Sequence, residues 1–267
     1  MSSTALNASW CPTTGMTCIC TNEPLLTFEV GCFSKRCSLK ENLFSTNLTR
    51  SACGIPEDNH ANLTPALAGV LGMLALIMVI LRLVQRVFLK KSFGWDDGMI
   101  LMALICAVAL NCMAFPLQKY GLGTNIWTIP FSNITRQLQY LYLSEVFYMP
   151  AEAFTQLSFL AFYQRILPRS KYQYVGYALG GITFIFGTSN TLVMILQCTP
   201  PSDFWRGWAG KVNGYCINTS AYSWYRAAMH IAMNLSIIAF PLWPLSKLSF
   251  SKRKKILVLL MLGTGVL

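Results

Sequence analysis

Residues 63–87 read LTPALAGVLGMLALIMVILRLVQRV, and that stretch decides the fold. A helix needs roughly 20 mainly apolar residues to cross a bilayer, and this one runs without a charge as far as Arg82. A different kind of sequence precedes it. Cys11, Cys18, Cys20, Cys32, Cys37 and Cys53 all fall in the first 53 residues. A small cysteine-dense segment fits an oxidising space, and a long apolar helix fits a membrane. Joined directly, they describe a membrane protein whose N-terminal head faces outward.

Composition supports that reading. The chain is 54% hydrophobic and 12% charged, against about 25% charged residues in soluble domains. Further apolar stretches run at Asp97–Leu117, Leu138–Gln164, Gln173–Gln197 and Tyr222–Leu245. A sixth opens at Ile256 and is too short to span before Leu267. The expected fold is an all-α membrane protein, a multi-span helical bundle of about five full spans and a truncated sixth. Residues 1–62 form a small disulfide-rich helical head, and 63–267 the transmembrane domain.

Net charge is +11. Basic proteins often bind nucleic acid, but here the base sits in short blocks between apolar spans. Membrane topology explains that pattern, so the expected partner is the lipid bilayer and not nucleic acid. Arg82, Arg86, Lys90 and Lys91 follow the first span, and Arg165, Arg169 and Lys171 the third. Lys247 and the Lys252-Arg253-Lys254-Lys255 block follow the fifth. The intervening loops hold fewer: Lys119 and Arg136, then Arg206 and Lys211. The richer segments are therefore cytoplasmic and the N-terminus is extracellular. Sequons at Asn7, Asn47, Asn62, Asn133 and Asn218 all fall on the outer side, Asn133 in the loop after the second span. Another, Asn234, lies inside the fifth span and should stay unused; Pro65 argues against use of Asn62. The expectation is a multi-pass plasma-membrane glycoprotein.

An even cysteine count outside the cell implies disulfides whose pairing spacing alone leaves open. They would staple a head too small to bury a large core. Glu23–Phe33 and Leu39–Asn47 read as short helices, with Asn22 and Ser38 as N-caps. Zinc is the competing reading of Cys18-x-Cys20, but no second cysteine pair or histidine cluster accompanies it, so no metal is expected. Met1–Trp10 lacks the basic and apolar regions of a signal peptide.

Cys18-Ile19-Cys20-Thr21-Asn22-Glu23, then Cys32, Cys37 and Cys53-Gly54, resembles the fungal extracellular eight-cysteine module called CFEM. On that resemblance the six cysteines from Cys11 to Cys53 match the module's third to eighth. The first two would precede Cys11, so a truncated start is expected. In haem-capturing members an aspartate three residues before the Cys-x-Cys pair ligates iron. Gly15 stands at that position, so no haem or other cofactor is expected.

The spans resemble a fungal rhodopsin-like domain. The resemblance rests on Phe93-Gly94-Trp95-Asp96-Asp97, on Tyr120-Gly121-Leu122-Gly123, and on residues 157–166, LSFLAFYQRI. Cys198-Thr199-Pro200, Phe204-Trp205 and Cys216 complete it. Gln156 departs from the pattern, since relatives often carry lysine there. Head and spans together resemble fungal CFEM-bearing, rhodopsin-like membrane proteins that are similar to G-protein-coupled receptors. The resemblance implies seven-span ancestry, sensing of extracellular or host-surface cues, an unknown extracellular ligand and a heterotrimeric G-protein partner.

Several residues could carry mechanism. Intramembrane charges are costly and often functional. Glu145 and Glu152 share one helical face of the third span, and Arg226 and His230 one face of the fifth. They form a candidate intramembrane polar site in which Glu145 pairs with Arg226 or His230; a purely structural ion pair is the plainer alternative. Asp96, Asp97 and Arg165 form a candidate cytoplasmic switch, against the plainer readings of helix capping for the aspartates and topology for the arginine. Cys198 and Cys216 flank an outer loop and are expected to be bonded, with Cys112 as a rival partner. Trp205, Trp208 and Tyr215 in that loop serve either as interfacial anchors or as ligand contacts.

No Gly-x-Ser-x-Gly, Walker loop or His-Glu-x-x-His is present, and the only histidines are His60 and His230. Catalysis is not expected. Three functions follow from the resemblance: a receptor-like sensor, a head that binds haem or a host component with the helices as anchor, or an accessory membrane protein of a secondary-metabolite gene cluster.

Overall fold

The computed structural model describes residues 20, 37–54, 60–88, 94–166, 171–210 and 214–247. Among these, helix α1 is Leu39–Ala52, α2 Leu63–Phe88, α3 Trp95–Lys119, α4 Phe131–Ile166 and α5 Lys171–Ile195. A short α6 (Asp203–Arg206) lies between two-residue strands β1 (Cys198–Thr199) and β2 (Tyr215–Cys216), and α7 is Thr219–Lys247. Leu63–Phe88, Trp95–Lys119 and Gln173–Ile195 are long and apolar enough to cross a membrane. The architecture is that of a helical membrane protein. None of α2's residues is buried by protein, and Val70 is 68% exposed. Lipid supplies the apolar surroundings that a protein core would otherwise provide.

Helices α2 to α5 run up and down. At the end of α2 and α3 that faces the head, the outer end if the head is extracellular, the His60 N–H donates to Gly123 O (2.9 Å) and Gln118 Nε2 to Asn62 Oδ1 (2.7 Å). At the inner end Arg86 meets Asp96. Between α3 and α4, Tyr120 stacks on Tyr140 (5.6 Å) at the head-side end, and Ser158 Oγ donates to Asp96 O (2.9 Å) at the opposite end. Between α4 and α5, Tyr142 OH donates to Ile195 O at the outer end. Deeper, a side chain at Gly187 would come within 2.4 Å of Ala153 Cβ. Small residues facing each other let membrane helices approach closely. Helix α7 runs parallel to α4 in register: Met149 meets Arg226 and Gln156 meets Asn234, separations of 77 and 78 residues.

The head packs on the outer end. Leu43 of α1 clusters with Ile129 and Ile134, the Lys40 ammonium lies over Trp208, and Arg50 lies 4.4 Å over Trp127. Ser38 caps α1: its N–H and hydroxyl both donate to Glu41 Oε2 at 2.9 Å. Glu41 is held below the ordinary carboxylate range by those two bonds.

Three expectations change. Helix α1 runs on past Asn47 to Ala52. Helix α4 starts at Phe131, so Asn133 sits in a helical first turn and not in a loop; Pro130 ahead of it accepts the Asn133 N–H and starts the helix. Cys37 is a free thiol and not half of a disulfide, while Cys53 is joined to Cys20. Helices α4 and α7 carry Arg136, Glu145, Glu152, Arg226 and His230, which makes them less apolar than α2, α3 and α5. Asn7, Cys11, Gly15, Cys18, Cys32, the Glu23–Phe33 helix, the Lys252–Lys255 block and the stretch from Ile256 lie outside the described residues.

Candidate functional site

Helix α4 organises three layers, from the outer end inward. The outer layer is a disulfide-pinned loop. Cys198 and Cys216 face each other across the β1–β2 pair and are bonded, leaving Cys112 and Cys106 as free thiols. Gly214 has no room for a side chain, since a Cβ would lie 1.8 Å from Thr199 O. The loop folds back so that Phe204 and Trp205 pack on Tyr142 at 5.5 and 5.6 Å. Trp208 Nε1 donates to Thr135 Oγ1 (3.0 Å). Both tryptophans therefore contact protein, while Tyr215 is exposed.

The middle layer is a polar seam between α4 and α7. His230 Nδ1 lies 2.7 Å from Glu152 Oε1, with both side chains 18% exposed. The approach is of ion-pair length without hydrogen-bond alignment, because Glu152 Oε2 and both imidazole nitrogens are buried with no hydrogen-bond partner in the protein. One turn inward, Gln156 Nε2 donates to Asn234 Oδ1 (2.9 Å). One turn outward, Arg226 Nη1 approaches Met149 Sδ (3.6 Å). His230 thus takes Glu152 and not Glu145 as its partner, because parallel register brings 152 and 230 to one level. Glu145 lies higher, within electrostatic reach of Arg226 and beside Gln197. From α5, Phe186 meets the edge of His230 (5.3 Å).

The inner layer is ionic. Arg82 and Arg86 Nη2 donate to Asp96 Oδ2 at 3.0 and 2.8 Å, and Arg165 Nη1 to Asp96 Oδ1 at 3.4 Å. Asp97, with no exposed surface, uses Oδ2 to accept the Gly94 N–H at 3.1 Å. Its Oδ1 lies 3.4 and 3.6 Å from Arg86 and Arg82 Nε, in ion-pair range only. Capping and ion pairing are thus divided between neighbouring carboxylates. Arg82 also lies over the Phe162 ring, 5.4 Å from its centroid. Three guanidinium groups surround two buried carboxylates, which compensates a desolvation neither carboxylate could bear alone.

These layers account for the sequence motifs residue by residue. In LSFLAFYQRI, Ser158 ties to α3, Leu160 and Tyr163 enter the inner core, Phe162 supports Arg82, and Arg165 reaches Asp96. Residues 81–267 match the fungal rhodopsin domain. The chain belongs to the fungal rhodopsin domain family. A SAT4 family membrane protein of Emericella nidulans is 24% identical over 179 residues, covering 66% of this chain and 43% of that protein. The chain thus matches less than half of that relative's length. No solved structure matches.

The fungal rhodopsin domain begins within α2 and leaves the cysteine-rich head outside it. Within the domain, sequence reasoning had Asp96, Asp97 and Arg165, but took Arg82 and Arg86 for topology signals. The missed signal is their spacing: four apart, they share the helical face that meets the aspartates across the turn. Gln156 and Asn234 were also missed as a pair, since only parallel register at α4–α7 joins them.

Proposed function

We propose that this chain is a non-catalytic, receptor-like sensor of the plasma membrane, with its head outside and α2, α3, α4, α5 and α7 as spans. The observation that carries this reading is the placement of all three layers on α4. Tyr142 lies under the disulfide-pinned loop, Glu152 meets α7, and Arg165 meets Asp96 of α3. A ligand that binds one arrangement of the outer loop better than another would shift α4, and the shift would reach the cytoplasmic ionic cluster. A heterotrimeric G protein is the proposed reader of that inner face. Asn47, Asn133 and Asn218 are the proposed glycan sites among the described residues. Asn218 Oδ1 accepts the Ala221 N–H at the start of α7 and leaves its amide nitrogen available.

The test is gene replacement in the source fungus with a second-messenger readout of extracellular cues. Deletion should abolish a response that the wild-type gene restores. Glu152→Gln and Asp96→Asn, at matched surface levels, should fail to restore it. An unchanged response after deletion would overturn the sensor reading.

A further inference from the structure

The α4–α7 seam has a feature that simple helix adhesion leaves unexplained. Glu152 Oε2, His230 Nδ1 and His230 Nε2 are buried and lack hydrogen-bond partners in the protein. In hydrocarbon such groups cost several kcal/mol unless something binds them or their charge is cancelled. A carboxylate that accepts only a 3.5 Å bond from Gln156 Nε2 at Oε1 and none at Oε2, beside a neutral imidazole, is the costly arrangement. A proton bound by the pair, whose Nδ1 and Oε1 lie 2.7 Å apart, cancels it.

The surroundings give the pair a direction. Outward, the seam stays polar: Tyr148 lies beside Glu152, then come Arg226 and Glu145, with Tyr222 further along α7. Inward it becomes apolar past Gln156 and Asn234, where Leu160, Tyr163, Ile237 and Phe240 form a buried cluster. The described part of α5 facing His230 presents Phe186, which does not titrate. On α3 the carboxylates Asp96 and Asp97 lie at the inner end, engaged by arginines. We infer that the Glu152–His230 pair is a proton-binding site reached from the outer side, so that extracellular acidity sets how α4 grips α7. The inference rests on the sensor reading of this seam and names the proton as a ligand of it. Imidazole is the side chain whose charge changes between about pH 5 and 8.

The chain's two histidines make the test direct. Full-length protein carrying His60→Asn, with isotope-labelled histidine, would be reconstituted in right-side-out vesicles, and the His230 ring resonances followed as outer pH changes. The expected result is a titration driven by outer pH alone. Glu152→Gln, which removes the carboxylate beside the imidazole, should displace its midpoint. Tyr148→Phe is a milder variant that should also displace it if the first does not fold. A His230 signal that ignores outer pH, follows only inner pH, or keeps its midpoint in both variants would overturn the site. Intact signalling alongside a silent His230 would remove the proton site and leave the sensor reading standing.

Discussion

Asp96 accepts from three arginines on two other helices and is 3% exposed. Removing one partner of a buried charge cluster leaves the others uncompensated. Asp96→Ala should lower stability by about 3–5 kcal/mol, read as a fall in midpoint temperature in detergent. Arg165→Gln should cost less, because Arg165 is 35% exposed and the longest of the three contacts. Glu41 offers a test of opposite character. Its carboxyl is held below the ordinary range by the Ser38 N–H and hydroxyl. Such a group adds helix stability above the ordinary carboxylate range and loses it as pH falls through the lowered value. Amide protection factors in α1, referenced to intrinsic exchange at each pH, should therefore fall in acid, and Glu41→Gln should flatten that dependence.

Among elements, glycines mark where backbones meet. A Cβ at Gly214 would sit on Thr199 O, so the β1–β2 pair requires glycine there. Gly214→Ala should reduce the yield of the Cys198–Cys216 cross-linked peptide in mass-spectrometric mapping. Gly187 against Ala153 sets how closely α5 lies on α4. Gly187→Leu overfills that contact and should cost about 1–3 kcal/mol, seen as a lowered thermal midpoint with retained helicity. Gly123 has a φ of +87° and no room for a side chain beside Ala61, which explains the second glycine of the Tyr-Gly-Leu-Gly turn. Helix existence was legible because apolar runs of membrane length have few alternatives. Helix ends were less so: α4 begins seven residues before Leu138, because its first seven residues, FSNITRQ, are mostly polar and give no hydropathy signal.

Across the whole molecule, the alternation of α2 to α5 separates two ends. Asn62, Tyr120, Tyr140 and Cys198 lie at one, and Arg86, Asp96 and Arg165 at the other. With the first end outside, Asn218→Gln should abolish one endoglycosidase-sensitive mobility shift, and an added sequon beside Arg165 should produce none. Modification beside Arg165 would reverse the proposed topology.

The sequence by itself determined that the chain is a bundle of membrane helices, because length and hydropathy act locally along the chain. It also placed cysteines and charges at the ends of those helices. Only the tertiary structure decided which of them meet. Residues 82, 86, 96 and 165 are distant in sequence, and their convergence depends on helix order. The parallel register of α7 on α4 gave His230 to Glu152 and not to Glu145, because a pairing between helices is fixed by packing along their whole length.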